Sequence, residues 1–258
     1  MNMTTRYYTG FKTIVIYEVI RFLRLWLQTL LPPVITMTLY FIIFGTFIGE
    51  RLPSFNHFTF MQFMAPGLIM MAIINNSFGN VVASFYSLRF QKSIEEILIS
   101  PLPYVLILIG FIVGGILRGC FVGLLVSVVA LFFTHLQMHH LWITLSVSIL
   151  TATLFSLAGF TNAIYAKNFD DITIIPTFVL TPLTYLGGVF YSIQQLPPAW
   201  QFLSKLNPIL YVVNAFRYGI LGMSDIPVFH AMVMISVITI LLFFLNLYLL
   251  KKGTGLRA

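Results

Sequence analysis

Six apolar runs, each long enough to cross a bilayer, constrain this chain more than any motif in it. They are Leu25–Gly49, Phe60–Phe85, Tyr104–Phe133, Leu141–Ala166, Ile172–Phe190 and Val228–Leu250. A hydrocarbon core of roughly 30 Å takes about 20 apolar residues as helix. Inside it the backbone must satisfy its own hydrogen bonds, so runs of this length are expected as helices. Charged residues make up 8% of the 258 positions, against roughly a quarter in a soluble domain. The expected class is therefore an all-α integral membrane protein with six transmembrane helices. The first run begins only after residue 24 and follows no small-x-small cleavage site, so it reads as a retained span. The one cysteine, Cys120, lies inside an apolar run and excludes an intrachain disulfide.

The net charge of +7 sets topology rather than marking a nucleic-acid surface. Arg6, Lys12, Arg21, Arg24, Arg89, Lys92, Lys167, Lys251, Lys252 and Arg257 fall on one side of the six runs. Arg51, Lys205 and Arg217 fall on the other, and Arg118 lies within the third run. Ten against three places both termini in the cytoplasm. Residues 1–24 then form a cytoplasmic N-terminus and an interfacial amphipathic helix. Val15, Val19, Phe22 and Trp26 are expected in lipid, with Tyr17, Arg21, Arg24 and Gln28 toward headgroups. Residues 25–250 form one transmembrane domain, and 251–258 a cytoplasmic tail.

The segment 191–222 is too apolar and too interrupted to be an ordinary loop. Leu196-Pro197-Pro198 stops a helix, because proline lacks an N–H and clashes with the preceding turn. Asn207-Pro208 restarts one as an N-cap and first-turn pair, carrying Tyr211, Phe216 and Tyr218. The expected form is a re-entrant helical pair between spans 5 and 6, covered by protein or lining a cavity. Leu196, Pro197, Pro198, Asn207, Pro208, Tyr211 and Arg217 are its candidate outer-gate residues.

Polar residues inside the spans are costly and need partners. Asn76, Asn80 and Ser84 repeat at four-residue spacing beside Asn75, which fits either a hydrogen-bonded helix contact or a substrate path. Gly115, Gly119 and Gly123 make a close-packing line on span 3, with Gly110 and Gly114 beside it. Arg118 is a buried charge in span 3, and no acid lies deep in any of the six runs. Two readings of it stand open: snorkelling toward the cytoplasmic surface, or contact with a substrate anion. In span 5, Pro176 and Pro182 free carbonyls that Thr177, Thr181 and Thr184 could satisfy; a bend at a moving gate is the other account. The cytoplasmic loops carry Glu95 and Glu96 on a short helix ended by Pro101, and Asp170 and Asp171 between spans 4 and 5. These acids read either as a docking site for a partner protein or as solvated residues, with Lys92 pairing to Glu95 or Glu96. No G-x-x-x-x-G-K-[ST], H-E-x-x-H or G-x-S-x-G pattern is present. His135, His139 and His140 have no acid or cysteine close in sequence, so no metal site is assigned.

The order of these parts resembles the ABC-2 permease family. The resemblance is carried by Gly188-Val189-Phe190-Tyr191, Leu196-Pro197-Pro198-Ala199-Trp200, Leu206-Asn207-Pro208 and Ala215-Phe216-Arg217, with Ile94-Glu95-Glu96-Ile97-Leu98 before Pro101. It implies a permease homodimer carrying two copies of a separate ABC ATPase, which holds the ATP and Mg; no cofactor is expected in this chain. Glu95 and Glu96, with Asp170 and Asp171, would receive the ATPase motion. Asn75, Asn76, Asn80 and Thr181 are the candidate substrate path. The implied activity is export of a hydrophobic, amphipathic or lipid-linked substrate across the cytoplasmic membrane. Within the family the rival is a polysaccharide or lipo-oligosaccharide exporter; outside it, an ion-coupled secondary transporter or a membrane-bound enzyme.

Overall fold

The computed structural model describes residues 3–49 and 58–253. Arg51 and Arg257 of the charge count, and the tail from 254 onward, lie outside them. In chain order the helices are α1 (Met3–Arg24), α2 (Trp26–Thr29), α3 (Leu31–Tyr40), α4 (Phe60–Phe90), α5 (Ile94–Ile99), α6 (Tyr104–Phe133), α7 (Leu141–Tyr165), α8 (Asp171–Ile175), α9 (Thr181–Tyr185), α10 (Pro198–Lys205), α11 (Pro208–Leu221) and α12 (Val228–Lys252). Wider π turns extend α3 over Phe41–Ile48 and join α8 to α9 over Pro176–Leu180.

Among the described residues five helices are long and apolar enough to cross a membrane: Trp26–Gly45, α4, α6, α7 and α12. The expected fifth run is different. Its helix covers only 171–185, about 22 Å at 1.5 Å per residue, and ends before Gly188, which takes φ +71°. The glycine pair therefore turns the chain where a continued span was expected over Ile172–Phe190.

Local chemistry sets each boundary. The break between α1 and α3 is satisfied by Thr29, whose hydroxyl donates to the Phe22 carbonyl at 2.8 Å and the Leu25 carbonyl at 3.0 Å. Pro32 and Pro33 then occupy the first turn of α3, where missing N–H groups cost nothing. Thr59 and Gln62 form a capping box that starts α4. Asn207 caps α11 through its side-chain Oδ1, which accepts from the Ile209 N–H, with Pro208 in the first turn, as its sequence predicts. Gly222 closes α11 at φ +75°.

Most of α4 is buried, whereas α12 and the α2–α3 segment are largely exposed. The core therefore forms around α4, with α6 and α7 packed along it, α1 against α6, and α11 against α4, α7 and α12. The two glycine lines of α6 do different jobs. Gly115 receives Ser156 of α7 and Val81 of α4, Gly119 and Gly123 receive Ser77 and Ile73 of α4, while Gly110 and Gly114 receive Ile14 and Glu18 of α1. On α7, a Cβ at Gly159 would stand 2.6 Å from the Phe78 carbonyl oxygen of α4. That neighbour is backbone and cannot swing aside.

The face of α1 also differs from expectation. Ile14, Glu18 and Phe22 are buried, and Val19 packs on the core. Met3, Tyr8, Ile16, Tyr17, Ile20 and Leu23 are its exposed large apolar residues. Phe22 thus turns toward protein rather than lipid, and Arg21 turns inward with Glu18.

Gly159→Ala is expected to lower stability by about 1–3 kcal/mol through overpacking. A Cβ at Gly79 meets nothing within 4 Å, so Gly79→Ala is expected to change stability by less than about 1 kcal/mol. Thermal unfolding of the two variants in one detergent checks the pair.

Candidate functional site

The centre of the molecule is a charged cluster that holds α1 to α4. Glu18 of α1 is fully buried. A carboxylate in so dry a place must find donors or cost several kcal/mol, and it finds three. Arg21 Nη2 donates to Glu18 Oε2 at 3.0 Å, Asn80 Nδ2 donates to the same oxygen at 3.1 Å, and Ser84 Oγ donates to Oε1. Arg21 Nη2 also donates to the Asn80 side-chain and backbone oxygens at 2.8 and 3.1 Å. Four-residue spacing puts Asn76, Asn80 and Ser84 on one face of α4, so the polar stripe forms a helix contact at its Asn80 and Ser84 end.

The other end of the stripe meets Arg118 of α6. Arg118 Nη2 donates to Asn76 Oδ1 and to the Thr29 carbonyl, each at 3.3 Å. Asn76 Nδ2 is used by the Ala72 carbonyl at 2.9 Å. Asn75, Asn76 and Arg118 then line an open groove of about 340 Å³ between α4 and the α2–α3 segment. Gln28, Thr29, Pro32, Pro33, Thr36, Met37, Tyr40, Met71 and Ala72 complete its wall. Asn75 is exposed to it, whereas Asn80 is buried in the cluster. Of the path candidates, Thr181 stands apart from this groove: it is exposed, and its hydroxyl satisfies the Pro176 carbonyl at 2.9 Å. Thr184 does the same for Leu180 at 2.7 Å. Neither bond reaches the i−4 carbonyls that Pro176 and Pro182 leave free, those of Ile172 and Phe178; the Ile172 carbonyl instead accepts from Asn162 Nδ2 at 3.1 Å.

One end of α4 holds the α10–α11 pair. Arg217 is buried there, its guanidinium 3.8 Å from the centre of the Phe63 ring. Its Nη2 donates to the Gly188 carbonyl at 2.6 Å, and its Nε to the Phe63 carbonyl at 3.3 Å. Asn207 Nδ2 donates to the Leu183 carbonyl, and Tyr211 donates to the Lys205 carbonyl at 2.8 Å. Asp225 closes the element: its carboxylate accepts from Ser192 Oγ and the Ile193 N–H. Pro197 and Pro198 are exposed and Leu196 is half-buried. The rings of His139 and His140 pack around Tyr218, and their backbone N–H groups donate to the Ile220 and Gly219 carbonyls of α11.

The acids lie at the other end of α4. Arg89, in the last turn of α4, donates to the carbonyls of Ala163, Ile164 and Ala166 at 2.8, 2.7 and 2.6 Å, sealing the end of α7. Phe169 packs edge-on against Tyr86 and Phe90. This brings the Asp170–Asp171 turn beside the helix that leads into α5. Glu95 and Glu96 are exposed on α5 while Ile94 anchors it. No Lys92 pair to either glutamate forms among the described ion pairs. Asp171 accepts from the Lys167 N–H at 2.8 Å and organises its own turn, leaving Asp170 exposed.

The family pattern of the ABC-2 type transporters matches residues 9–221, from α1 to the end of α11. The chain belongs to the ABC-2 type transporter family. It is 51% identical over 253 residues to the inner membrane transport permease YadH of Escherichia coli strain K12, covering 98% of each chain. It is 23% identical over 209 residues to nodulation protein J of Rhizobium leguminosarum bv. trifolii, covering 81% of this chain and 80% of that one. A similar likeness, 23% over 212 residues, holds for nodulation protein J of Rhizobium meliloti strain 1021. The ABC-2 match takes in the buried cluster, the groove and the α10–α11 pair alike.

Glu18 is the residue that sequence reasoning missed in this ABC-2 protein. The absence of an acid from the six spans holds, but α1 is itself packed inward, so its acid is as buried as any span residue. The available signal was Ile14-Glu18-Phe22 at four-residue spacing opposite the small line Gly110-Gly114 of α6. Glu18→Ala would strand Arg21 and is expected to cost about 3 kcal/mol. Exposed Glu95→Ala is expected to cost less than about 0.5 kcal/mol. Thermal unfolding of full-length variants, with the amount of protein in the membrane as a second readout, checks the contrast.

Proposed function

We propose that this chain is the membrane-spanning subunit of an ATP-binding cassette exporter of the bacterial cytoplasmic membrane. It moves a hydrophobic, amphipathic or lipid-linked substrate and draws on ATP hydrolysis by a separate ATPase. The observation that carries the proposal is the ABC-2 match over residues 9–221, joined to a polar groove at mid-length of α4. Export would proceed by alternating access in a permease homodimer, with six spans in each copy and both termini cytoplasmic. The 171–185 helix and the Gly187–Phe190 turn together serve as the fifth crossing. The α10–α11 pair closes the path on the outer side, and Asn207, clamped to Leu183, is one of its fixed points. α1 lies at the inner interface with Ile16, Ile20 and Leu23 toward lipid. Similarity to a protein named as an inner membrane transport permease supports both the location and the transport role.

The chain is read as a transport subunit without catalysis of its own, because it carries no P-loop pattern and resembles a protein named as a transport permease. Two ATPase copies would dock at the end bearing Glu95, Glu96, Asp170 and Asp171. Exposed Phe90, Ile99 and Phe169 surround these acids, which suits a partner bound by apolar anchors and steered by charge. A polysaccharide conduit would be expected to offer a run of aromatic faces. The groove offers Tyr40, which continues into Phe44, Phe190 and Tyr185, so the lipo-oligosaccharide reading stands beside the amphiphile one. A proton- or ion-coupled carrier would need a carboxylate free to change its charge. Glu18 is buried but already engaged by Arg21, Asn80 and Ser84.

Affinity capture of the full-length chain from its own membranes is expected to bring down a partner carrying Walker motifs. The double variant Glu95→Lys, Glu96→Lys is expected to lower that capture about tenfold or more while leaving its amount in the membrane unchanged. Equal capture by both proteins would count against the coupling assignment.

A further inference from the structure

Among the described residues, one charge at the groove has no counter-charge of its own, and it stands in the groove wall. Glu18 is the one carboxylate in the central cluster, and it is shared by Arg21, Asn80 and Ser84. Arg118 lies within electrostatic reach of both Arg21 and Glu18, so two guanidiniums face one carboxylate and a positive charge is left over. The contacts Arg118 makes are to neutral acceptors at 3.3 Å, beyond the usual range for an N–H···O bond. Its buried Nε has no partner among the described residues. Away from bulk water such a charge attracts an anion far more strongly than an exposed arginine does, and a guanidinium offers paired donors matched to phosphate or carboxylate oxygens.

The rest of the wall narrows the ligand further. Gln28, Asn75 and Asn76 supply neutral polar groups, whereas Pro32, Met37 and Met71 supply apolar ones. An inorganic anion would leave the apolar side unused. A volume of about 340 Å³ is at the small end for a ligand pocket. It accommodates a headgroup and the first part of a chain rather than a whole lipid.

We propose that this groove binds an amphiphile with one anionic headgroup of the phosphate type, paired to Arg118, with its apolar chain along Met37 and Met71. This deepens the exporter reading by naming the substrate class, and its physiological meaning rests on that reading. The bilayer itself and an exported cargo are two sources of the same chemistry.

The test uses the full-length protein in phosphatidylcholine nanodiscs with radiolabelled dodecyl phosphate as tracer. Unlabelled dodecyl phosphate is expected to compete about tenfold or more better than dodecyl phosphocholine, which has the same chain and no net charge. Arg118→Gln should abolish that preference, and Arg118→Lys should keep most of it. Asn75 is exposed, so Asn75→Asp tests the charge without touching the Arg118 contacts; it should weaken tracer binding by a similar factor, while Asn75→Gln should not. Equal competition by the two probes, or a full preference retained in both Arg118→Gln and Asn75→Asp, overturns the proposal. Phosphatidylglycerol added to the nanodisc displaces the tracer if the bilayer is the source and leaves it bound if cargo is, and both outcomes require the anion site. A selective site in a protein that exports no amphiphile upholds this inference and sinks the exporter reading. Export that runs without anion preference does the reverse.

Discussion

The structure depends on one requirement: the Glu18 carboxylate must be satisfied in a place that bulk water does not reach. Its donors come from two elements, Arg21 of its own helix and Asn80 and Ser84 of α4. Losing either would leave a charge buried with too few donors, at a cost comparable to a large share of a protein's net stability. The carboxylate therefore fixes where α1 lies, and the missing side chain of Gly114 gives it room to do so. The groove follows from the same constraint. With α1 held against α4 and α6, the chain breaks at Leu25 and Leu30 and restarts at Leu31, leaving open space between α3 and α4.

A second pattern runs along α4. Arg89 near one end and the Phe63 carbonyl near the other take part in contacts where a guanidinium meets backbone carbonyls rather than carboxylates. The three carbonyls that meet Arg89 are ones that the end of α7 leaves without intrahelical partners. Arg89 seals the end of α7, and Arg217 seals the turn at Gly188. Arginine suits this role because its donors fan out in a plane and keep their charge. A polar contact of another kind ties α12 to α7, where Asn246 donates to the Leu157 carbonyl at 3.0 Å and accepts from Thr161 at 2.9 Å.

Much of the architecture was legible in the sequence, for reasons local to each segment. The apolar runs mark α4, α6, α7 and α12 because length and hydropathy decide them without reference to neighbours. Asn207-Pro208 announces the start of α11, since an N-cap and a first-turn proline act within three residues. The glycine spacing of α6 announces close helix contacts. What failed was the direction in which faces point. An amphipathic pattern in α1 looks the same whether its polar stripe meets headgroups or another helix, and only the partner decides. Span 5 failed for a related reason: its apolar run continues past Gly187-Gly188, but the backbone turns there because Gly188 takes a positive φ and Val189 packs against Gly67 of α4.

By itself the sequence determined that this is a multi-pass helical membrane protein, because hydrophobic length, proline placement and capping are properties of short stretches of chain; its ABC-2 membership rests on resemblance along the whole order of parts. Tertiary structure alone decided which polar residues meet. Asn75, Asn76, Asn80 and Ser84 are neighbours on one helix, yet packing gives Asn80 and Ser84 to Glu18, Asn76 to Arg118, and leaves Asn75 open to the groove. The physical reason is that a buried charge is compensated through space. Residue 18 finds its donors at residues 80 and 84, a pairing that no periodicity along the chain encodes.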